Sequence, residues 1–290
     1  MSLGLANVFR SRRGASSERP TLRPKVLEQT LERFGFSKRP EPTLENLKAL
    51  YKAWSRSVGY DNVQKRVYYA EGRTGPFPNM NPNDFLNAWM KHGTGGSCWP
   101  SAEAWFQILL SLGYDVRRVA GQMLDCDDPM KPNHGTVIAT INGVEYAVDT
   151  GMIGEDPLPL IPGIETASPN KAFGLWSTGK GDIWWRPGHS RRAIQYVTQF
   201  DPCTGPYFAD RYEKTKEFSL FNDVLYVRRN KNDGVVTVGR GNRIVVTPDG
   251  EMSATPIEPG DMKRILVEEM HLSEEIASKI PADKESITFN

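Results

Sequence analysis

His134-Gly135-Thr136-Val137-Ile138-Ala139-Thr140-Ile141-Asn142-Gly143-Val144-Glu145-Tyr146-Ala147-Val148-Asp149 is the stretch on which the reading of this chain turns. Two apolar runs flank Asn142-Gly143, and Asn-Gly between such runs is a strong hairpin signal, because both central residues of a type I′ turn need positive φ. The pattern predicts strands over 135–141 and 144–148. With Ile141 facing Val144, the register sets Asp149 opposite Thr136 and makes His134 its diagonal neighbour on the same face, within side-chain reach. A histidine and a carboxylate so placed can serve as base and orienter. The carboxylate fixes the tautomer and supports the imidazolium, while the other ring nitrogen faces a nucleophile. Read singly, His134 is a loop-end histidine satisfied by backbone, and Asp149 a strand-ending residue before Thr150-Gly151.

The candidate nucleophile lies upstream, in Gly93-Thr94-Gly95-Gly96-Ser97-Cys98-Trp99-Pro100. Pro100 suits a first helical turn, Ala104, Trp105, Ile108, Leu109 and Leu112 keep helical spacing, and Gly113 closes the run. Cys98 then sits at a helix N-terminus, where unsatisfied N–H groups and the helix dipole favour negative charge on sulfur or on an oxyanion. The two glycines allow close approach of backbone or substrate, and Gly96, Ser97 and Trp99 flank the thiol as candidate substrate contacts. The alternative is a buried structural cysteine at a glycine-rich turn. A His134-Asp149 pair downstream weighs towards the nucleophile.

Outward from these motifs, the first hundred residues read as helical. Pro24 opens a segment with Leu27, Leu31 and Phe34 on one face and Gly35 at its close; Thr43 caps a second carrying Leu47, Leu50, Tyr51 and Trp54 before Gly59; Pro82 opens a third with Phe85 and Trp89, ending at His92-Gly93. A strand is predicted over 116–123, then an acidic loop over 125–133. Residues 156–188 are rich in Pro, Gly and Trp and show few periodic runs. Strands over 218–227, 235–239 and 243–248 and helices over 260–271 and 273–279 complete an α+β chain of two or three units.

Composition excludes several classes. Three cysteines in 290 residues make no disulfide framework. Thirty-six Lys plus Arg against thirty-five Asp plus Glu leave a net charge of +1, so no global field recommends nucleic acid or an anionic membrane. No apolar run reaches the roughly 18 to 20 residues of a membrane span. Residues 1–22 read as a basic tail without a secretory signal, and the expected location is the cytoplasm.

Other constellations are weaker. Cys126 and Cys203 fall in apparent loops, and adding His189 does not give metal-ligand spacing, so no metal is expected. Trp184-Trp185 and Phe77 could line a cleft or simply pack. Gly239-Arg240-Gly241 reads as a hairpin turn, although Arg240 and Arg243 could meet an anionic donor. Arg228, Arg229 and Lys231 read as a solvated hairpin end.

The order Cys98, His134, Asp149 and its surroundings resemble the arylamine N-acetyltransferase family. Gly95-Gly96-Ser97-Cys98 and Asp149-Thr150-Gly151-Met152 stand at that family's nucleophile and Asp motifs, and Leu112-Gly113-Tyr114 is similar to its Leu-Gly-Phe. Glu32-Arg33-Phe34-Gly35-Phe36, Pro42-Thr43-Leu44-Glu45-Asn46-Leu47 and Tyr60-Asp61-Asn62-Val63 resemble its opening segments, the last standing for Phe-Glu-Asn-Leu. The stretch from Asp210 through Phe218-Ser219-Leu220-Phe221 to the end resembles its third domain. The resemblance covers most of the chain from about residue 25. Thr94 replaces the family's Arg, and Pro100 and Ala102 replace its Glu and Asn, which marks a divergent member.

The resemblance implies an N-terminal helical bundle, a central β-barrel and a C-terminal α/β lid around a cysteine-protease-like core. The expected division is 1–22 tail, 23–97 bundle, 98–210 nucleophile helix and barrel, and 211–290 lid. It implies acyl transfer through a Cys98 acyl-enzyme, from acyl-CoA or a phosphopantetheine thioester on an acyl carrier protein, to a small-molecule amine. No tightly bound cofactor, metal, nucleic acid or membrane is implied. Alternatives are an amide synthase of a biosynthetic pathway, a thiol amidohydrolase or transamidase, or a binding protein that has lost catalysis.

Overall fold

The computed structural model describes residues 18–124, 131–170, 173–187, 190, 192–258 and 260–284. Its first helices form where local signals place them. Helix α1 (Pro24–Arg33) begins on Pro24 and is followed by Gly35 at φ +87°. Helix α2 (Leu44–Ser57) is capped by Thr43, whose side chain accepts from Asn46 N at 3.2 Å. Between α2 and the next helix, Tyr60–Asp61 form a short strand, β1. Helix α3 (Val63–Ala70) escapes the periodicity argument because its buried face carries Lys65 and Arg66 beside Val63 and Val67. Helix α4 (Pro82–His92) ends on Gly93 in the left-handed region, and α5 (Cys98–Ser111) buries nearly every side chain. Trp54 stacks on Phe85 at 5.9 Å and lies 5.1 Å from Trp105, which ties α2, α4 and α5 into one core.

The chain then builds an eight-stranded antiparallel sheet. Strand β2 (Asp115–Met123), the hairpin β3 (His134–Ile141) and β4 (Val144–Ala147), and β5 (Leu158–Leu160) lead into β6 (Thr166–Ala167), β7 (Gly174–Ser177), β8 (Asp182–Arg186) and β9 (Ile194–Cys203). The order is β5-β4-β3-β2-β9-β8-β7-β6. Its two edges meet through Thr166 Oγ1, which donates to Pro159 O at 2.6 Å, so the sheet is a nearly closed barrel. The hairpin has the predicted register, Ile141 opposite Val144 with Asn142 and Gly143 at φ +51° and +80°. Residues 156–188 hold four strands that the sequence pattern does not reveal, each only two to five residues long. Cys203, expected in a loop, ends β9 instead.

Helix α6 (Gly205–Lys214) follows, and the expected boundary between 210 and 211 falls inside it. A five-stranded antiparallel sheet comes next, made of β10 (Tyr226–Lys231), β11 (Gly234–Gly239), β12 (Asn242–Val246) and β13 (Met252–Pro256), with β1 on its far edge beside β10. The strand expected over 218–227 is displaced: residues 220–222 form a 3₁₀ turn and the strand begins at Tyr226. Helices α7 (Met262–Glu268) and α8 (Glu274–Ala277) pack on this sheet with Val63 and Val67 of α3, so α3 shares its core with the C-terminal unit. Of the expected tail, residues 1–17 lie outside the described residues, whereas Glu18 pairs with Arg118 and Leu22 is buried. Helix α5 packs on α4, α6, β2 and β3 and so joins the helical part to the barrel.

Candidate active site

The glycines before Cys98 are explained by packing. A Cβ at Gly95 would lie 1.7 Å from Gly59 O, and one at Gly96 2.7 Å from the Phe85 ring. The loop is pressed between β1 and α4 and makes a parallel bridge from Gly96 to Tyr60. Gly95 N also donates to Asp61 Oδ2, while Val63 N donates to Oδ1 at 3.0 Å. Burial pushes the Asp61 carboxyl up to about 6 against the pull of those two donors. This tether delivers Cys98, 8% exposed, to the first turn of α5.

His134 opens β3 and Asp149 follows β4, as the hairpin register requires. His134 Nε2 lies 2.7 Å from Asp149 Oδ2, and Tyr196 donates its hydroxyl to the same oxygen at 3.0 Å. Oδ1 accepts from Gly151 N at 2.9 Å and Met152 N at 3.2 Å. Burial opposes the carboxylate charge, but the charge and hydrogen bond of His134, with smaller shares from Thr136 and Tyr196, together hold Asp149 below the usual carboxylate range. Burial likewise opposes a charge on the imidazole; the Asp149 charge and hydrogen bond, with a smaller share from Cys98, push it up to about 10. With Nε2 on Asp149, Nδ1 is the ring nitrogen left for the cysteine.

All three side chains converge on Gly151. A Cβ there would lie 2.9 Å from His134 Cε1, 3.2 Å from Asp149 Oδ1 and 3.4 Å from Cys98 Cβ. Residues 149–154 are held in turn from two other parts of the fold. From α2, Tyr51 donates to Asp149 O at 2.7 Å and Ser55 to Gly154 O. From β10, Arg228 donates to Gly151 O and Asn230 to Ile153 O at 2.7 Å. Ile153 takes φ +41° inside this clamp.

Arg228 and Arg229 are therefore not a solvated hairpin end. Both are buried, because β10 pairs with β1 and faces the bundle, where carbonyls and rings receive the guanidinium groups; Lys231 at the strand end is exposed. Arg229 donates to Ser57 O at 2.9 Å and to Gly93 O. Tyr196, Tyr51, Asp61 and Arg228 are the neighbours of the site that the sequence reading did not select. For Tyr196, the alternation of Ile194, Gln195 and Tyr196 was the only local signal of a strand.

The remaining candidates are placed elsewhere. Trp99 is 1% exposed and packs edge-on against Phe208 at 5.0 Å, so it is core. Phe77 is also buried, among Tyr68, Tyr69 and Tyr212. Gly96 packs on Phe85, and Ser97 is the N-cap of α5. Arg240 stands at the β11–β12 turn at φ +51°, within electrostatic reach of Tyr226, and Arg243 pairs with Glu269 at 2.7 Å. Trp185 is buried, and Trp184 stacks on Trp176. Cys126 and His189 lie outside the described residues. A hollow of about 660 Å³ is lined by Arg66, Tyr69, Lys216, Phe218 and Lys284, away from the Cys98 group. Among the described residues no helix is long and apolar enough to cross a membrane.

Comparison with known proteins bears on the family and the fold. Proansamycin X synthase of Amycolatopsis mediterranei is 24% identical over 145 residues, 48% of this chain and 54% of that protein. An arylamine N-acetyltransferase of Mycobacterium bovis is 26% identical over 132 residues, 43% of this chain and 44% of that protein. The chain thus spans about half the length of these curated relatives. The solved arylamine N-acetyltransferase of Mycobacterium abscessus superposes with a TM-score of 0.70 at 15% identity, covering 88% of this chain and 93% of that one, a likeness of fold. The family model for N-acetyltransferase matches residues 43–278, and the chain belongs to the arylamine N-acetyltransferase family.

Proposed function

We propose that the protein moves an acyl group from a thioester to an amine through a Cys98 acyl-enzyme. The observation that carries this reading is the convergence of Cys98, His134 and Asp149 on Gly151. His134 is held as an imidazolium beside Cys98, which reacts as the thiolate. The thiolate attacks the thioester carbonyl, and the first-turn amides of Cys98 and Trp99 face the developing oxyanion. Collapse breaks the carbon–sulfur bond to the donor, whose thiolate takes the proton from His134. Neutral His134 then accepts a proton from the incoming amine as nitrogen attacks the acyl-enzyme, and Cys98 leaves as thiolate. Asp149 keeps the ring oriented throughout.

A thioester is already activated, so the reaction needs no further electrophilic catalyst. Acyl-CoA is the first donor to try. A second arm presents the acyl group as a phosphopantetheine thioester on an acyl carrier protein. The test is the initial-rate pattern of amide formation with donor and acceptor both varied. Parallel double-reciprocal lines are expected; intersecting lines demand a ternary complex and exclude the acyl-enzyme.

A further inference from the structure

Asp61 binds the loop before Cys98 twice. Its N–H donates to Gly96 O at 3.3 Å, and its carboxylate Oδ2 accepts from Gly95 N. The other oxygen, Oδ1, accepts from Val63 N at 3.0 Å, so one carboxylate fastens the loop to the first residue of α3. Gly95 can carry no side chain that would do this from the loop itself, since a Cβ there would lie 1.7 Å from Gly59 O. Cys98 follows in the first turn of α5. A misplacement of about 1 Å can slow a reaction roughly a hundredfold.

The carboxylate is 1% exposed, and Arg229 of β10 acts on it through charge, its Nη1 and Nη2 being directed to Ser57 O and Gly93 O. Lys65 of α3, whose Nζ donates to Thr215 Oγ1 at 2.9 Å, and Tyr212 of α6 line one small polar pouch with Asp61, Gly95 and Ser97, to which α5 contributes Pro100. Burial keeps the Tyr212 hydroxyl neutral. Burial also raises the Asp61 carboxyl from 3.8 to about 6, so its ionisation weakens the fold as pH rises across that interval. Yet a proton on either oxygen puts a hydroxyl where an amide N–H points. Ionisation thus lowers stability while it secures the loop, an opposition that a carboxylate kept for stability alone would not show.

We propose that Asp61 is a positioning residue whose ionised carboxylate, by holding the Gly95 and Val63 amides together, sets Cys98 for acylation. The proposal rests on the acyltransferase reading, and it is tested on the first half-reaction alone. Acetyl-pantetheine is the donor, because it carries no group that titrates between about pH 5 and 8 and so leaves the protein to set the profile. Adduct formation on the full chain is followed by rapid-quench mass spectrometry. Across that range His134 stays charged and Asp149 ionised, so the acid limb is expected to follow Asp61, with the rate at pH 5 about tenfold below that at pH 7. Asp61→Asn offers one oxygen to two amides. It is expected to acylate on the order of tenfold to hundredfold more slowly at pH 7, the range of a charged hydrogen bond, and to show a nearly level profile from pH 5 to 7. Asp61→Glu, which restores the charge, restores part of the rate and the limb. A second measurement needs no variant: in the wild type, hydrogen exchange of residues 93–98, corrected for its intrinsic pH dependence, is expected to quicken below about pH 6. A level wild-type profile, the same limb in Asp61→Asn, or unchanged protection of residues 93–98 overturns the proposal and leaves acyl transfer standing. Absence of an adduct from acetyl-pantetheine and acetyl-CoA at every pH overturns the acyltransferase reading and this proposal with it.

Discussion

His134 Nε2 and Asp149 Oδ2 stand 2.7 Å apart in a setting where the histidine is 4% exposed and the aspartate not at all. The pair joins the first residue of β3 to the turn after β4, so one hairpin register positions both. With Nε2 engaged, the ring presents Nδ1 to Cys98, and the raised proton affinity of the imidazole keeps it charged at neutral pH.

His134→Ala removes that charge from beside the sulfur. Alkylation of Cys98 by iodoacetamide at pH 7 is expected to slow by about tenfold or more, because the thiolate is the reacting form. Unchanged alkylation kinetics would remove His134 from this role.

The pair also sets a pH window for stability. The folded His134 value lies near 10, above 6.5, so its contribution is fully present below about 6.5 and is lost as pH rises towards about 10. Asp149 is held below 3.8, so its contribution is present above that value and is lost as pH falls through the folded one. Urea midpoints of wild type and His134→Gln, measured from pH 5 to 10, are expected to differ most at the acid end and to converge towards pH 10. A constant difference contradicts the assignment.

Gly151→Ala tests the convergence. The methyl would enter 2.9 Å from His134 Cε1 and 3.2 Å from Asp149 Oδ1, so ring and carboxylate must shift. Overpacking of this kind costs roughly 1–3 kcal/mol of stability, and acylation is expected to fall by about a hundredfold in a chain that still folds. Wild-type acylation in Gly151→Ala would show that the three groups tolerate separation.

Tyr196→Phe removes the second donor on Asp149 Oδ2 and keeps the buried ring. The expected stability loss is about 1 kcal/mol, with acylation slowed by up to about tenfold and the alkylation pH profile displaced. A normal profile together with slow acylation would make Tyr196 a packing residue only.

Local signals carried much of this architecture. The Thr43 cap, Pro82 with Gly93, and Asn142-Gly143 each act over a few residues, and the structure has all of them. His134 and Asp149 were legible for the same reason, since a two-residue turn fixes register without tertiary information. Helix α3 was not, because its inward face is partly Lys65 and Arg66, which bury against carbonyls and rings contributed from distant residues. The strands over 158–186 are too short for alternation to rise above their Pro, Gly and Trp content. Arg228 and Arg229 mislead for a related reason: consecutive charges ordinarily face water, and only the packing of β10 on the bundle reverses that. Trp99 and Phe77 adjoin the motif in sequence or chemistry, yet both are needed to fill the core.

The central claim is that Cys98 takes an acyl group from a thioester. Intact-mass analysis after mixing the chain with acyl-CoA and acyl-pantetheine thioesters reads it directly. The account predicts a single acyl adduct that maps to Cys98, disappears on adding an amine as the amide forms, and is absent in Cys98→Ala. No adduct from any thioester, alongside turnover of amide substrates, would contradict it.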